Sequence, residues 1–136
     1  MLDDPEITVT GAEDREKNNY SWEYYVNQIH EMDKFVKELT TKLADYPEPV
    51  VLVMYGDHLP TMGLKVEDLE NRYLYQTEYV IWDNMGLKRK QENIASYQIA
   101  AEVMNRVGIH DGTIFRYHQT RREYEELSGG SRGAAV

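Results

Sequence analysis

Cysteine is absent from the 136 residues, which excludes disulfides, thiolate nucleophiles and cysteine-ligated zinc. The absence does not fix the compartment, because a chain of this length can bury a core without such staples. Long apolar runs are missing as well, and nothing approaches the roughly 20 residues needed to span a bilayer. No basic-then-apolar stretch opens the chain, so no secretory leader is expected in it as it stands. Positive charge is in deficit: 15 Lys and Arg stand against 24 Asp and Glu, for a net charge of -9. Nucleic-acid binders usually carry a basic stripe that neutralises phosphates, so no nucleic-acid partner is expected. Any chemistry must come from His, carboxylates, hydroxyls or Lys.

The acidity is unevenly placed. Residues 1–48 hold 12 acids and five bases, whereas residues 49–136 hold 12 acids and 10 bases. The later part therefore remains able to receive an anionic substrate. Met1 to Asn19 is polar and reads as an extended lead-in, in which Ile7 to Thr10 could pair as an edge strand. Trp22, Tyr25, Ile29, Met32, Val36, Leu39 and Leu43 then recur at steps of three and four. That spacing predicts an amphipathic helix over about 20–46, capped by Asn19 or Ser21 and ended by Pro47 and Pro49. On it, His30 reads as a flank residue and Asp33 as an anchor for a neighbouring loop.

Pro49 to Tyr55 is a continuous apolar run of strand length, of the kind buried on both faces of a parallel sheet. A second strand is predicted at Thr77 to Trp82, adjacent and parallel to the first, with a short polar helical stretch at Lys65 to Asn71 between them. Lys88-Arg89-Lys90 reads as a solvated loop, and residues 93–107 as a second helix stopped by Gly108. Ile114 to His118 is expected to form a strand or turn. The domain is placed at 1–127, followed by a flexible tail at 128–136 rich in Gly, Ser and Ala. The fold class expected is α/β, a mainly parallel sheet flanked by helices.

Gly56-Asp57-His58 directly after the buried run is the informative step. Ligands in open α/β sheets sit beyond the carboxyl ends of strands, and a carboxylate oxygen beside an imidazole nitrogen suits Mn²⁺ or Zn²⁺. The competing reading is a turn in which Asp57 accepts backbone N–H groups and His58 merely packs. Two ligands alone do not complete a metal site. His110, Arg116 and His118 are candidates to touch substrate, with Arg121 and Arg122 in the same basic cluster; the plainer alternative is a solvated surface.

Tyr24 to Ile29 with Asp33, then Val50 to Pro60 through Gly56-Asp57-His58, resembles the lipoteichoic acid synthase family. Tyr79 to Asn84 and Gly108-Ile109-His110 follow that family's order too. These are sulfatase-like phosphoglycerol transferases of the alkaline phosphatase superfamily. The resemblance covers about residues 5–120 and corresponds to the carboxyl-terminal portion of a longer catalytic domain. It implies that Asp57 and His58 bind a divalent metal, commonly Mn²⁺, which activates a nucleophilic Thr and stabilises phosphoryl charge. It also implies an anionic lipid or glycerophosphate substrate and a parent enzyme held at the extracytoplasmic face of the cell membrane. The family's nucleophile and first acidic ligand precede this region, and Thr8 and Thr10 lie too near the helix to be that nucleophile in the family's order. The chain is thus expected to be inactive alone, needing the upstream part of the same domain. Sulfuric-ester or phosphodiester hydrolysis is the alternative chemistry, and a non-catalytic α/β binding module the alternative class.

Overall fold

In the computed structural model the described residues are 4–11, 16–60 and 62–127, with the side chains of 16–18 and 123–127 set aside. The tail expected at 128–136 and Thr61 lie outside them. The chain forms two compact units, Met1–Asn84 and Met85–Val136.

The first unit begins with helix α1, Glu16–Ala44. It starts before Asn19 and Ser21, which lie inside it rather than capping it. Residues 7–9 form no strand. Their backbone is held by side chains of α1 instead: Ile7 N–H donates to Asn27 Oδ1 at 3.1 Å, and Asn27 Nδ2 donates to Ile7 O at 2.8 Å. The Asn27 amide thus offers Ile7 the donor and acceptor that a neighbouring strand would have offered. Val9 N–H donates to Glu23 Oε2, while His30 and Lys34 engage Glu6. Glu23, Asn27, His30 and Lys34 share one helical face, away from the Trp22–Leu43 stripe by the 3.6-residue period. The lead-in therefore covers the polar face. On the apolar side Ile29, Met32 and Phe35 stay exposed, so the stripe expected to be core is only partly covered among the described residues.

Strands β1, Val51–Tyr55, and β2, Tyr79–Asp83, pair in a two-stranded sheet. They are adjacent, as the sequence suggests, but antiparallel, which corrects the expectation of a parallel pair. Val51 faces Asp83 and Tyr55 faces Tyr79. The physical reason lies in the connection. A parallel return needs a crossover that carries the chain back along the strand, usually on a helix. Among the described residues of 56–78 the regular structure is a 3₁₀ turn at Val66–Asp68, and Gly63 and Arg72 there take positive φ, so the segment loops and re-enters at the end it left. With one strand on one side only, Val51 to Met54 are half-buried rather than buried on both faces.

Asn84 joins α1 to the sheet. Its Nδ2 donates to the carbonyls of Leu43, Tyr46 and Glu48, and its Oδ1 accepts from Val50 N–H at 2.9 Å. It thereby adds a donor to Leu43 O in the last turn of α1 and holds the carbonyls of Tyr46 and Glu48 just beyond it.

In the second unit the helix expected at 93–107 is a 3₁₀ turn, Ser96–Gln98, leading into α2, Ile99–Arg106. Gly108 stops it as anticipated: with φ 74° it lets Gly108 N–H reach Asn105 O and Ile109 N–H reach Met104 O. Those two bonds are the Schellman pattern. The strand or turn expected at 114–118 is instead the start of helix α3, Thr113–Leu127. Gly112 leads into it and accepts Arg116 N–H. Tertiary contact overrides the β-like Ile114-Phe115 pair, because α3 packs on α2. Buried Gln119 ties the helices together, donating to Ala101 O and Ile109 O.

An ionic cluster closes this unit. Arg122 of α3 donates to Glu102 of α2 and to Glu92 of the preceding loop. Arg106 donates to Glu102 Oε1 at 2.8 Å, and Lys90 lies 2.8 Å from Glu92. Burial raises the Glu92 carboxyl, but hydrogen bonds from Arg122 and Lys90 outweigh it and leave it below its ordinary 4.5. A carboxyl depressed in the folded state adds stability above its unfolded value, and loses it as pH falls through the folded one. The melting temperature of the α2–α3 pair should therefore hold between pH 7 and 5 and fall below about 4.5. Glu92→Gln should shrink that acid-side fall; circular dichroism melts at a series of pH values check it. An unchanged slope in the variant would show that Glu92 is not the titrating group.

Candidate functional site

The Asp57–His58 turn stands at the end of β1, where the antiparallel register also brings the start of β2. Gly56 is fixed from both sides. Its N–H donates to Glu78 O at 3.0 Å, and its carbonyl accepts the Thr77 hydroxyl at 2.7 Å. A Cβ on Gly56 would come within 3.3 Å of Thr77 Cβ, so glycine here answers a close approach of two chains.

Past this point both side chains turn to solvent, with 81% of the Asp57 side chain and 71% of the His58 side chain exposed. Asp57 Oδ1 accepts the His58 backbone N–H at 2.9 Å, which fixes the carboxylate and leaves Oδ2 for other contacts. His58 Nδ1 lies 2.8 Å from Leu59 O. A carbonyl only accepts, so Nδ1 carries the proton, and Nε2 of the neutral ring keeps its lone pair. Nε2 sits 3.7 Å from Asp57 Oδ2. That span lets one ion stand at about 2.0–2.2 Å from both donors. The carboxylate does accept a backbone N–H, as the plainer reading of the turn holds, but His58 does not pack. Its Nδ1–H to carbonyl bond is the kind of outer contact that orients a metal-ligating histidine. The donor pair fits a divalent cation of intermediate hardness, yet it is incomplete: no group of three or more His, Asp or Glu side chains converges among the described residues.

The other candidates lie in the second unit and are dispersed there. His110 Nδ1 pairs with Gln119 Oε1 at 2.9 Å, so this ring is engaged with the clamp between α2 and α3. His118 is half-buried, its ring 5.3 Å from those of both Tyr97 and Tyr117. Arg116 is exposed. In a strand, residues 116 and 118 would share a face; on α3 they stand about 200° apart. Arg121 lies on the surface near the Tyr117 hydroxyl, and Arg122 is taken up by Glu92 and Glu102.

A family model described as Sulfatase matches residues 3–109, well over half of the chain. The chain belongs to the sulfatase family. That places it in the alkaline phosphatase superfamily, whose α/β character agrees with a chain that contains both helices and a small sheet. The match includes Asp57 and His58 and stops one residue before His110. No curated protein and no solved structure matches this sulfatase-family chain. Among its described residues, no helix is long and apolar enough to cross a membrane.

Two residues that shape the first unit, Thr77 beside the turn and Asn84 at the opposite end of the sheet, carry little signal in the sequence. Thr77 reads merely as the first residue of a strand, and nothing local signals that its hydroxyl meets Gly56. Asn84 carried a faint signal, an amide directly after a strand, but its three carbonyl partners belong to a segment far back in the chain.

Proposed function

We propose that this sulfatase-family chain supplies the Asp57–His58 metal pair of a phosphoglycerol transferase of the lipoteichoic acid synthase type. The nucleophilic Thr and the first acidic ligand are carried elsewhere in the same catalytic domain. The observation that supports this most is the His58 ring, held by Leu59 O with its Nε2 lone pair beside Asp57 Oδ2. Asp57 and His58 would hold a divalent cation; the donors suit Mn²⁺ or Zn²⁺, and the resemblance to the lipoteichoic acid synthase family favours Mn²⁺. Bound there, the ion supplies charge neutralisation at phosphoryl oxygens and activation of a hydroxyl nucleophile. The chain's own part is to keep the two donors oriented before the ion arrives. Gly56 sets where the turn begins, Asp57 Oδ1 is occupied by the His58 N–H, and Leu59 O selects the tautomer.

The substrate class is an anionic glycerophosphate lipid, met at the extracytoplasmic face of the membrane. His110 and Arg116 are exposed and His118 is half-buried; each is proposed singly as a contact for an anion, since the three form no common cluster. The family match itself favours sulfuric-ester hydrolysis as the second reading.

The test uses the parent enzyme with Mn²⁺ and compares release from phosphatidylglycerol with release of sulfate from an aryl sulfate. Turnover of the lipid alone is the expected result; turnover of the sulfate alone selects the second reading. Asp57→Ala and His58→Ala should each lower turnover by at least about 100-fold, with loss of bound metal. Wild-type metal content in either variant would overturn the assignment of the pair. The 136-residue chain by itself should turn over neither substrate; metal-dependent turnover by it would show that the nucleophile lies within it.

A further inference from the structure

We infer that Thr77 is a positioning residue for the Asp57–His58 pair, acting through Gly56, an assignment that rests on the reading of that pair as metal ligands. The β1–β2 ladder ends in register at Tyr55 and Tyr79. One more backbone bond, Gly56 N–H to Glu78 O, extends it. Among the described residues no backbone N–H of β2 donates to the Gly56 carbonyl. The Thr77 hydroxyl fills that place at 2.7 Å. The last residue before Asp57 is thus held at both its N–H and its C=O, and the Thr77 methyl packs 3.7 Å from where a Cβ would stand.

Everything that orients the donors lies within three residues of this clamp. The Asp57 carboxylate is fixed on the next N–H, and His58 is fixed on the next carbonyl. None of these contacts is buried, and packing does not hold the turn, since both side chains are largely exposed. Among the described residues, the Thr77 hydroxyl is the side-chain group that bonds this turn from outside it. Releasing the Gly56 carbonyl frees the peptide plane that leads into Asp57, and both donors then lose their common aim. Outer partners of metal ligands commonly contribute 10–100-fold in affinity, about the range expected here.

The experiment compares wild type, Thr77→Val and Thr77→Ser in the ¹⁵N-labelled 136-residue chain. Valine keeps the shape and removes the donor; serine keeps the donor. Two quantities are read. Ring ¹⁵N shifts of His58 without metal report the tautomer, and Mn²⁺-induced broadening of the Asp57 and His58 amides reports affinity. Thr77→Val should lower the Nδ1–H population and weaken Mn²⁺ binding by about 10-fold or more, with the amide shifts of Val53 and Val80 unmoved. Thr77→Ser should restore both. Wild-type tautomer and wild-type Mn²⁺ affinity in Thr77→Val would overturn the role of Thr77 while leaving the pair's assignment intact. Absence of Mn²⁺ broadening at residues 57 and 58 in wild type would show that these two donors do not hold the ion without the remaining ligands, and the ring shifts would then decide whether Thr77 positions the turn.

Discussion

Arg122→Ala is expected to cost the second unit about 3–5 kcal/mol, the usual loss when one member of a buried ion cluster is removed. The size follows from what is left behind. Glu102 is 3% exposed and Glu92 13%, so neither carboxylate can be rehydrated without opening the unit. Arg106 remains for Glu102 and Lys90 for Glu92, which places the loss at the lower end of that range. Even so it is comparable with the whole stability of a folded unit of this size, about 0.05–0.15 kcal/mol per residue. Amide exchange protection in α2 and α3 should fall accordingly, while protection in β1 and β2 is retained. Arg122→Lys should recover only part of the loss, since one ammonium cannot reproduce a guanidinium that reaches two carboxylates. Adding Glu92→Gln and Glu102→Gln to Arg122→Ala should recover more, because uncompensated charge is the main cost. Protection at wild-type level in Arg122→Ala would show that the cluster contributes nothing net.

Asn84→Ala is expected to destabilise the first unit by about 1–3 kcal/mol, chiefly the cost of leaving the partly buried Val50 N–H without this partner. The side chain serves Val50 N–H and the carbonyls of Leu43, Tyr46 and Glu48 at once, across the Pro47–Pro49 bend. Asn84→Asp separates these duties. Its carboxylate still accepts from Val50 but faces three carbonyls with no donor, so its loss should match or exceed that of alanine. Urea unfolding followed by Trp22 and Trp82 fluorescence measures both variants. An aspartate variant as stable as wild type would show that the donor bonds of the amide contribute nothing.

These two residues mark where sequence reading stops. The periodic apolar positions from Trp22 to Leu43 suffice for α1, because a helix is a local pattern repeated over many residues. The apolar run before Gly56 likewise suffices for a strand, and Gly108 for a helix stop. The Asp57–His58 pair was visible because its members are neighbours in the chain and stand where strands deliver ligands. Arg122 was less legible. In sequence it is one base in a run of several, and only the packing of α3 on α2 separates it from Arg116 and Arg121.

By itself the sequence determined that α1, β1, β2 and the stop at Gly108 exist, that cysteine chemistry is excluded, and that a carboxylate–imidazole step follows a strand. The tertiary structure alone decided the direction of β2, and with it the surroundings of that step. In a parallel pair the carboxyl end of β1 would lie beside Asp83; the antiparallel register puts Thr77 and Glu78 there instead. Strand direction depends on how residues 56–78 return, and a looped path with little regular structure leaves no period to read. The structure also decided that His110, Arg116 and His118 do not form one cluster. That outcome turned on a helix where β-branched and aromatic residues suggested a strand, a choice made by contact between α2 and α3 rather than by local propensity.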